Sequence, residues 1–192
     1  MGRTRIGVLS DTHMPSDLRE LWDEVGVAFA GVDLIVHCGD ISHPLVLDQC
    51  ERWAPVVAAL GNNDFDSGDP RIAPVQWLDV EGFRVAAVHD MEPEDEPIEV
   101  LCRRYLRDER PDVMLTGHTH FERMDYRDGV LQVNSGSAVH PHLWSTRMGT
   151  VAIVDFEPGR LRASIVRVGE TEGLRNPGIE YAFDGTLVHR LG

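Results

Sequence analysis

The tetrapeptide Gly117-His118-Thr119-His120, read with Asp11-Thr12-His13 near the start, most constrains what this chain can become. Each places two metal-binding side chains one residue apart on a tight loop. Gly39-Asp40, Gly61-Asn62-Asn63-Asp64 and a lone His89 belong with them, because every one follows a short apolar run that reads as a strand. Five strand ends carrying His, Asp or Asn imply one polar cluster at one edge of one sheet. Ligands in open α/β sheets bind beyond the carboxyl ends of strands, and period-two alternation lets residues i and i+2 point to the same side. Singly the fragments are weak. Asp-Thr-His could cap a helix, Gly-Asp is common in turns, Gly-Asn-Asn-Asp reads as a β-turn, and a strand-end histidine is more often a surface residue. Their joint order carries the weight. Imidazole with carboxylate suits Zn, Mn or Fe rather than Mg or Ca alone, and seven such ligands are too many for one ion and about right for two.

The surrounding pattern gives these loops a scaffold. Arg5–Leu9, Asp33–His37 and Pro55–Leu60 read as strands. Helices are expected between them, one capped by Ser16 or Asp17 and running to about Ala30, the other from Pro44 to about Trp53. That alternation argues a parallel sheet with right-handed crossovers. After residue 70 the pattern turns antiparallel. Val75–Val80 and Arg84–Val88 flank a Glu81-Gly82 turn. A helix over Glu96–Glu109 and a strand at Asp112–Leu115 follow. Two strand pairs then come, Glu122–Tyr126 with Val130–Asn134 and Thr150–Phe156 with Leu161–Val168. The fold class expected is α/β, a four-layer sandwich of two mixed sheets flanked by helices. Residues 1–192 read as one domain, with residues 169–192 as a C-terminal hairpin or tail.

Composition narrows the function. The chain has 192 residues, a formal charge of −14 and no lysine. A surface this negative repels polyanions, so tight general binding of nucleic acid is not expected. There is no apolar run long enough for a membrane span, no signal-peptide pattern, and no linker, internal repeat or low-complexity tract. Cys38, Cys50 and Cys102 show no CxxC spacing and read as reduced, buried thiols of a cytoplasmic protein.

These motifs, over residues 5 to about 168, resemble the calcineurin-like metallophosphoesterase superfamily: Asp-x-His, Gly-Asp, Gly-Asn-His-Asp/Glu, His and Gly-His-x-His. The small size is similar to its YfcE-type phosphodiesterase branch, which shares its fold with a retromer subunit. The resemblance implies hydrolysis of a phosphate ester by a metal-bridging hydroxide, more readily on a diester than a monoester. It implies two divalent transition-metal ions, Mn first, with Ni, Zn or Fe as alternatives. Asp11, His13 and His120 would bind the first, Asn62, His89 and His118 the second, and Asp40 both. Asp40, Asn63 and Asp64 are the catalytic candidates, and Asn62, Asn63 and His118 the substrate contacts. Asn134-Ser135-Gly136-Ser137 resembles the family's Asn-Pro-Gly-Ser loop that shapes the site.

Two departures stand out. Asn63 replaces the family's histidine; it can donate to a phosphoryl oxygen but cannot act as a general acid at neutral pH, so aryl leaving groups would suffer least. Asp90 replaces the glycine that usually follows His89, a carboxylate beside the second metal that either partners a ligand there or narrows the cleft. His140 and His142 are candidate replacement acids. Trp144 and Arg147 share their loop, where an arginine would suit a phosphate. His37 reads as packed core, His43 as a loop residue after Asp40 and His189 as surface. A small phosphate ester is the expected partner, and a homodimer is left open. The competing readings are a protein-binding scaffold with a vestigial metal site and a nuclease, the latter disfavoured by charge and chain length.

Overall fold

A computed structural model describes residues 2–14, 18–65 and 68–191. Thirteen strands form two sheets in it. In chain order the first elements are β1 (Thr4–Leu9), α1 (Asp23–Ala28), β2 (Leu34–His37), α2 (Leu45–Cys50), β3 (Val56–Ala59) and β4 (Ile72–Ala73). Next come β5 (Gln76–Val80), β6 (Phe83–Ala87), α3 (Ile98–Tyr105), β7 (Val113–Thr116), β8 (Glu122–Arg127) and β9 (Val130–Ser135). A 3-10 turn over Pro141–Leu143 precedes β10 (Thr150–Glu157), β11 (Arg160–Arg167), β12 (Tyr181–Phe183) and β13 (Val188–Arg190). The larger sheet runs β13-β12-β11-β10-β1-β2-β3-β4 and the smaller β5-β6-β7-β9-β8. Parallel pairing joins β1 to β2 and β2 to β3, and, in the other sheet, β6 to β7 and β7 to β9.

The layers follow from alternation along each strand. Ile6 and Val8 of β1 face Val85, Ala87, Val113 and Leu115 in the core between the sheets. Leu9, Ile35 and Ile153 point the other way, onto Val25 of α1 and Leu47 and Cys50 of α2. Ala86 and Met114 turn outward beneath Ile98, Leu101 and Cys102 of α3. This is the expected four-layer sandwich, and all three cysteines are free and buried within it.

The helices are shorter than the pattern predicts. Leu21, expected inside the first helix, instead accepts and donates through its backbone to the Gln49 side chain at 3.0 and 2.7 Å; that tertiary bond replaces the helical one, and α1 begins only at Asp23. The expected caps Ser16 and Asp17 lie outside the described residues. The third helix stops at Tyr105 because Arg107 and Asp108 take left-handed backbone, with φ of 54° and 65°. Residues 181–190, left open as hairpin or tail, form the β12–β13 hairpin at the edge of the larger sheet.

One backbone clamp occurs in each sheet. The Arg5 N–H donates to Asp33 Oδ2 at 2.7 Å while Asp33 N–H returns a bond to the Arg5 carbonyl. Arg84 and Asp112 do the same at 2.7 and 2.8 Å, and both pairs are 28 residues apart. No described helix is long and apolar enough to cross a membrane.

Candidate metal centre

The singled-out loops leave five strands, but those strands are divided between the sheets. Asp11 and His13 follow β1, Asp40 follows β2 and Asn62 follows β3 in the larger sheet; His89 follows β6, and His118 and His120 follow β7 in the smaller. The cluster therefore straddles one end of the sandwich, which corrects the expectation of one edge of one sheet. The loops are stitched together by the continuation of the parallel ladders. Asp11 N–H donates to the Gly39 carbonyl and His13 N–H to that of Asp40, both at 3.0 Å, and Gly117 N–H to that of His89, also at 3.0 Å.

Two glycines let these loops approach. A Cβ on Gly117 would lie 1.8 Å from Ser10 Oγ and 2.7 Å from Asp11 Oδ2; one on Gly61 would lie 2.1 Å from the Asp40 backbone nitrogen. Only a residue without Cβ fits at either place.

All seven candidate ligands come together. His13 Nε2 and His120 Nε2 stand 3.1 Å apart, and the Asp11 carboxylate completes a triad with them. His120 donates its other ring N–H, Nδ1, to the His140 carbonyl at 2.8 Å, which leaves the Nε2 lone pair facing the cluster. His89 likewise directs Nδ1 to the Cys38 carbonyl at 2.8 Å. Its Nε2 lies 2.9 Å from Asn62 Oδ1, and the same oxygen is 2.9 Å from His118 Nδ1. A second group, Asp11, Asp40 and His89, overlaps the first through Asp11. Asp40 reaches both sides, with Oδ1 3.4 Å from His89 Nε2 and Oδ2 3.5 Å from His13 Nε2.

Electrostatics match this crowding. Burial pushes the Asp11 carboxyl up to about 7 in spite of the His89 charge. Burial also works against the Asp40 anion, but contacts from His89 and two hydrogen bonds from Asn63 outweigh it and hold the carboxyl well below the usual range. Burial lowers His13 and brings His120 down to about 4, keeping both imidazoles neutral and able to ligate. Such a donor set, imidazoles around buried carboxylates, fits divalent transition metals.

The remaining candidates take distinct places. Asn63 donates its backbone N–H to Asp40 Oδ1 at 2.8 Å and its side-chain amide to Oδ2 at 2.6 Å. Asp64 accepts from the backbone N–H of Ser42 and of Gly61, at 2.7 and 2.8 Å, and so holds the Asn62 loop. Asn134 donates to the Gly117 carbonyl and Ser137 Oγ to the Asp11 carbonyl, both at 2.8 Å, which shows how residues 134–137 support the cluster. His37 is buried: Gly39 N–H donates to its Nδ1, and its Nε2 pairs with Thr12 Oγ1 at 3.0 Å. His43 and His189 are exposed. Sequence reasoning missed Glu92, whose carboxylate lies 3.6 Å from His118 Nε2 and groups with Asp90. It also missed Glu122, a buried carboxylate 3.0 Å from His142 Nε2. Neither stands at a motif spacing.

Comparison with known proteins identifies the family and the fold. The family model for a calcineurin-like phosphoesterase superfamily domain matches residues 4–159. A probable metallophosphoesterase of Methanothermobacter thermautotrophicus is 34% identical over 168 residues, covering 85% of this chain and 92% of its own. A phosphodiesterase of Methanocaldococcus jannaschii is 25% identical over 180 residues, covering 84% of this chain and 99% of its own. The zinc complex of Vps29 from Entamoeba histolytica superposes with a TM-score of 0.69 at 17% identity over 98% of both chains, a likeness of fold.

Proposed function

The chain belongs to the calcineurin-like phosphoesterase superfamily, and on that premise we propose that it is a dinuclear-metal-dependent phosphodiesterase. The Asp40 carboxylate carries this reading, because its two oxygens are divided between His89 and His13 at 3.4 and 3.5 Å. We assign Asp11, His13, His120 and Asp40 to one ion and Asp40, Asn62, His89 and His118 to the other. Bound there, two divalent ions would supply an ionised water nucleophile near neutral pH and positive charge for the phosphoryl oxygens. Manganese is our first assignment, with nickel, zinc and iron compatible with the same donors.

The chain's own residues do the rest. Asn63 orients Asp40 through both of its N–H groups, and its amide can donate to a phosphoryl oxygen without protonating a leaving group. Asp64 fixes the loop that carries Asn62 and Asn63. Asn62, Asn63 and His118 are the candidates for substrate contact, being the less buried members of the cluster. Asp90 and Glu92 beside His118 place negative charge at that end, which opposes a phosphomonoester dianion more than a diester monoanion. The buried thiols support a cytoplasmic setting. Metal titration with elemental analysis tests the proposal, alongside hydrolysis of aryl diesters, aryl monoesters and cyclic nucleotides. Two ions per chain and turnover of the diesters are expected. At most one ion per chain, or no turnover with Mn, Ni, Zn, Fe or Mg, overturns it in favour of a binding scaffold.

A further inference from the structure

Beside the His13–His120 side of the centre lies a group of side chains that exposes apolar surface to water. Phe121, Leu143 and Trp144 are 48%, 68% and 49% exposed. Phe121 and His142 stack with centroids 4.4 Å apart and planes 14° from parallel, and Trp144 meets His142 edge-on at 6.2 Å. The Arg147 guanidinium stands 5.0 Å from the Trp144 ring centre. Apolar surface of this kind gains nothing for folding while it faces water.

It is nevertheless held in place. His142 pairs with both oxygens of the buried Glu122, at 3.0 and 3.1 Å, and Glu122 itself accepts the Ile179 N–H at 2.6 Å. His142 N–H donates to the His120 carbonyl at 3.0 Å, and His120 donates back to the His140 carbonyl at 2.8 Å. The rings are thereby bolted to a candidate ligand. His142 and Leu143 also occupy left-handed backbone, with φ of 55° and 60°. Side chains other than glycine take that conformation at an energetic cost, and such positions gather at functional sites.

From this we infer that Phe121, His142 and Trp144 form a stacking subsite for a planar aromatic group, a nucleobase or an aryl ring, on the non-leaving arm of the phosphodiester. Flat rings stack on one another with little demand for a particular substituent pattern. Arg147 adds positive charge beside Trp144 on a chain of net charge −14, which suits an anionic ester that carries a flat apolar group. The inference rests on the phosphodiesterase reading and adds the class of substrate to it.

The test compares three esters that share a p-nitrophenolate leaving group and differ in the other arm: thymidine 5′-, phenyl and methyl p-nitrophenyl phosphate. The metal-loaded full chain and its Trp144→Ala, Phe121→Ala and Phe121→Leu variants are used, the last keeping apolar bulk should Phe121→Ala fail to fold. Wild type is expected to favour the thymidine or phenyl arm over methyl by about tenfold in kcat/KM, through KM. The variants should bring that ratio close to one. A preference for thymidine alone identifies a nucleobase, and equal preference for thymidine and phenyl identifies any aromatic arm. If all three esters are hydrolysed and the ratio is the same in wild type and variants, the subsite is wrong and the phosphodiesterase reading stands. If wild type hydrolyses none of them, the phosphodiesterase reading fails and the subsite falls with it.

Discussion

The two ends of the sandwich use the same unusual backbone for opposite purposes. At the hairpin end, Glu81-Gly82 and Asp128-Gly129 both take positive φ, 49° and 88°, then 52° and 77°. Each joins two antiparallel strands through a two-residue loop. That is what a tight hairpin turn demands, and glycine in the second position meets it with little strain. At the ligand end, Asp11, His13, Asp40, His118 and His120 also have φ between 47° and 72°, yet none is glycine. Left-handed backbone costs such residues about 1–3 kcal/mol each. Strain at the hairpins serves the chain's path. Strain at the ligands aims side chains at one another across two sheets.

Changing the chemistry of the ligand end without touching the hairpins should give the largest effect. Asp40→Asn is expected to lower metal affinity by about 10–100-fold and hydrolysis at least in proportion, with the β5–β6 and β8–β9 pairings intact. Metal titration and kcat/KM read the first two, and amide exchange in the hairpins reads the third. Near-wild-type turnover would remove the shared-carboxylate role.

A direct test of the contrast is one methyl group at each end. Gly117→Ala puts carbon against Ser10 Oγ and Asp11 Oδ2, and should cost about 1–3 kcal/mol from overpacking together with metal binding. Gly129→Ala meets open space at φ of 77°, so its cost is conformational, about 1–2 kcal/mol, and metal binding should be unaffected. Equal losses of metal affinity in urea-melt and titration experiments would erase the distinction.

Acid should weaken the ligand end first. His37 braces the Asp11 and Asp40 loops through Thr12 and Gly39, and burial lowers it from 6.5 to about 3. Above pH 6.5 it is neutral in both folded and unfolded chains, and its full contribution is present. Between pH 6.5 and 3 the unfolded chain takes up a proton that the folded one refuses, so stability falls by about 1.4 kcal/mol per pH unit. Urea melts at stepped pH should show a shallower acid slope for His37→Gln than for wild type; parallel slopes would assign the loss to other groups.

The smallest expected effect has the opposite sign. His118→Asn puts at φ of 72° a residue whose short polar side chain can hydrogen-bond locally in left-handed backbone. The metal-free protein should gain about 0.5–1 kcal/mol while metal occupancy falls. A lower melting temperature for the metal-free variant would mean that the ligand loops are not strained.

The ligand end was the more legible of the two because its residue types are costly anywhere else. His118-Thr119-His120 and Asp11-Thr12-His13 each pack two donors into three residues, and Gly39, Gly61 and Gly117 mark the close approaches between them. The β–α–β order was legible from apolar runs, and the β5–β6 hairpin from Glu81-Gly82. What stayed hidden depends on partners distant in the chain. Leu21 leaves the helix for Gln49, 28 residues away. The division of five strands between two sheets is set by which faces meet, as where Val8 packs with Val85 and Leu115. Glu92 and Glu122 have no local pattern, and each acquires meaning only from the histidine it faces.

The matched clamps, Arg5 with Asp33 and Arg84 with Asp112, set a common frame in the two sheets. They give β1–α1–β2 and β6–α3–β7 the same strand–helix–strand order with the same clamp spacing. Asp11 and Asp90 then stand at equivalent points, each the same number of residues beyond its clamped arginine, and His13 is matched by Glu92. In one unit the pair meets His120, and in the other it meets His118. The acidic rim therefore stands where the other unit carries its ligand pair, with glutamate in place of histidine. One backbone frame thus presents two different chemistries, a more buried ligand pair and a more exposed negative rim, at matching positions of the two sheets.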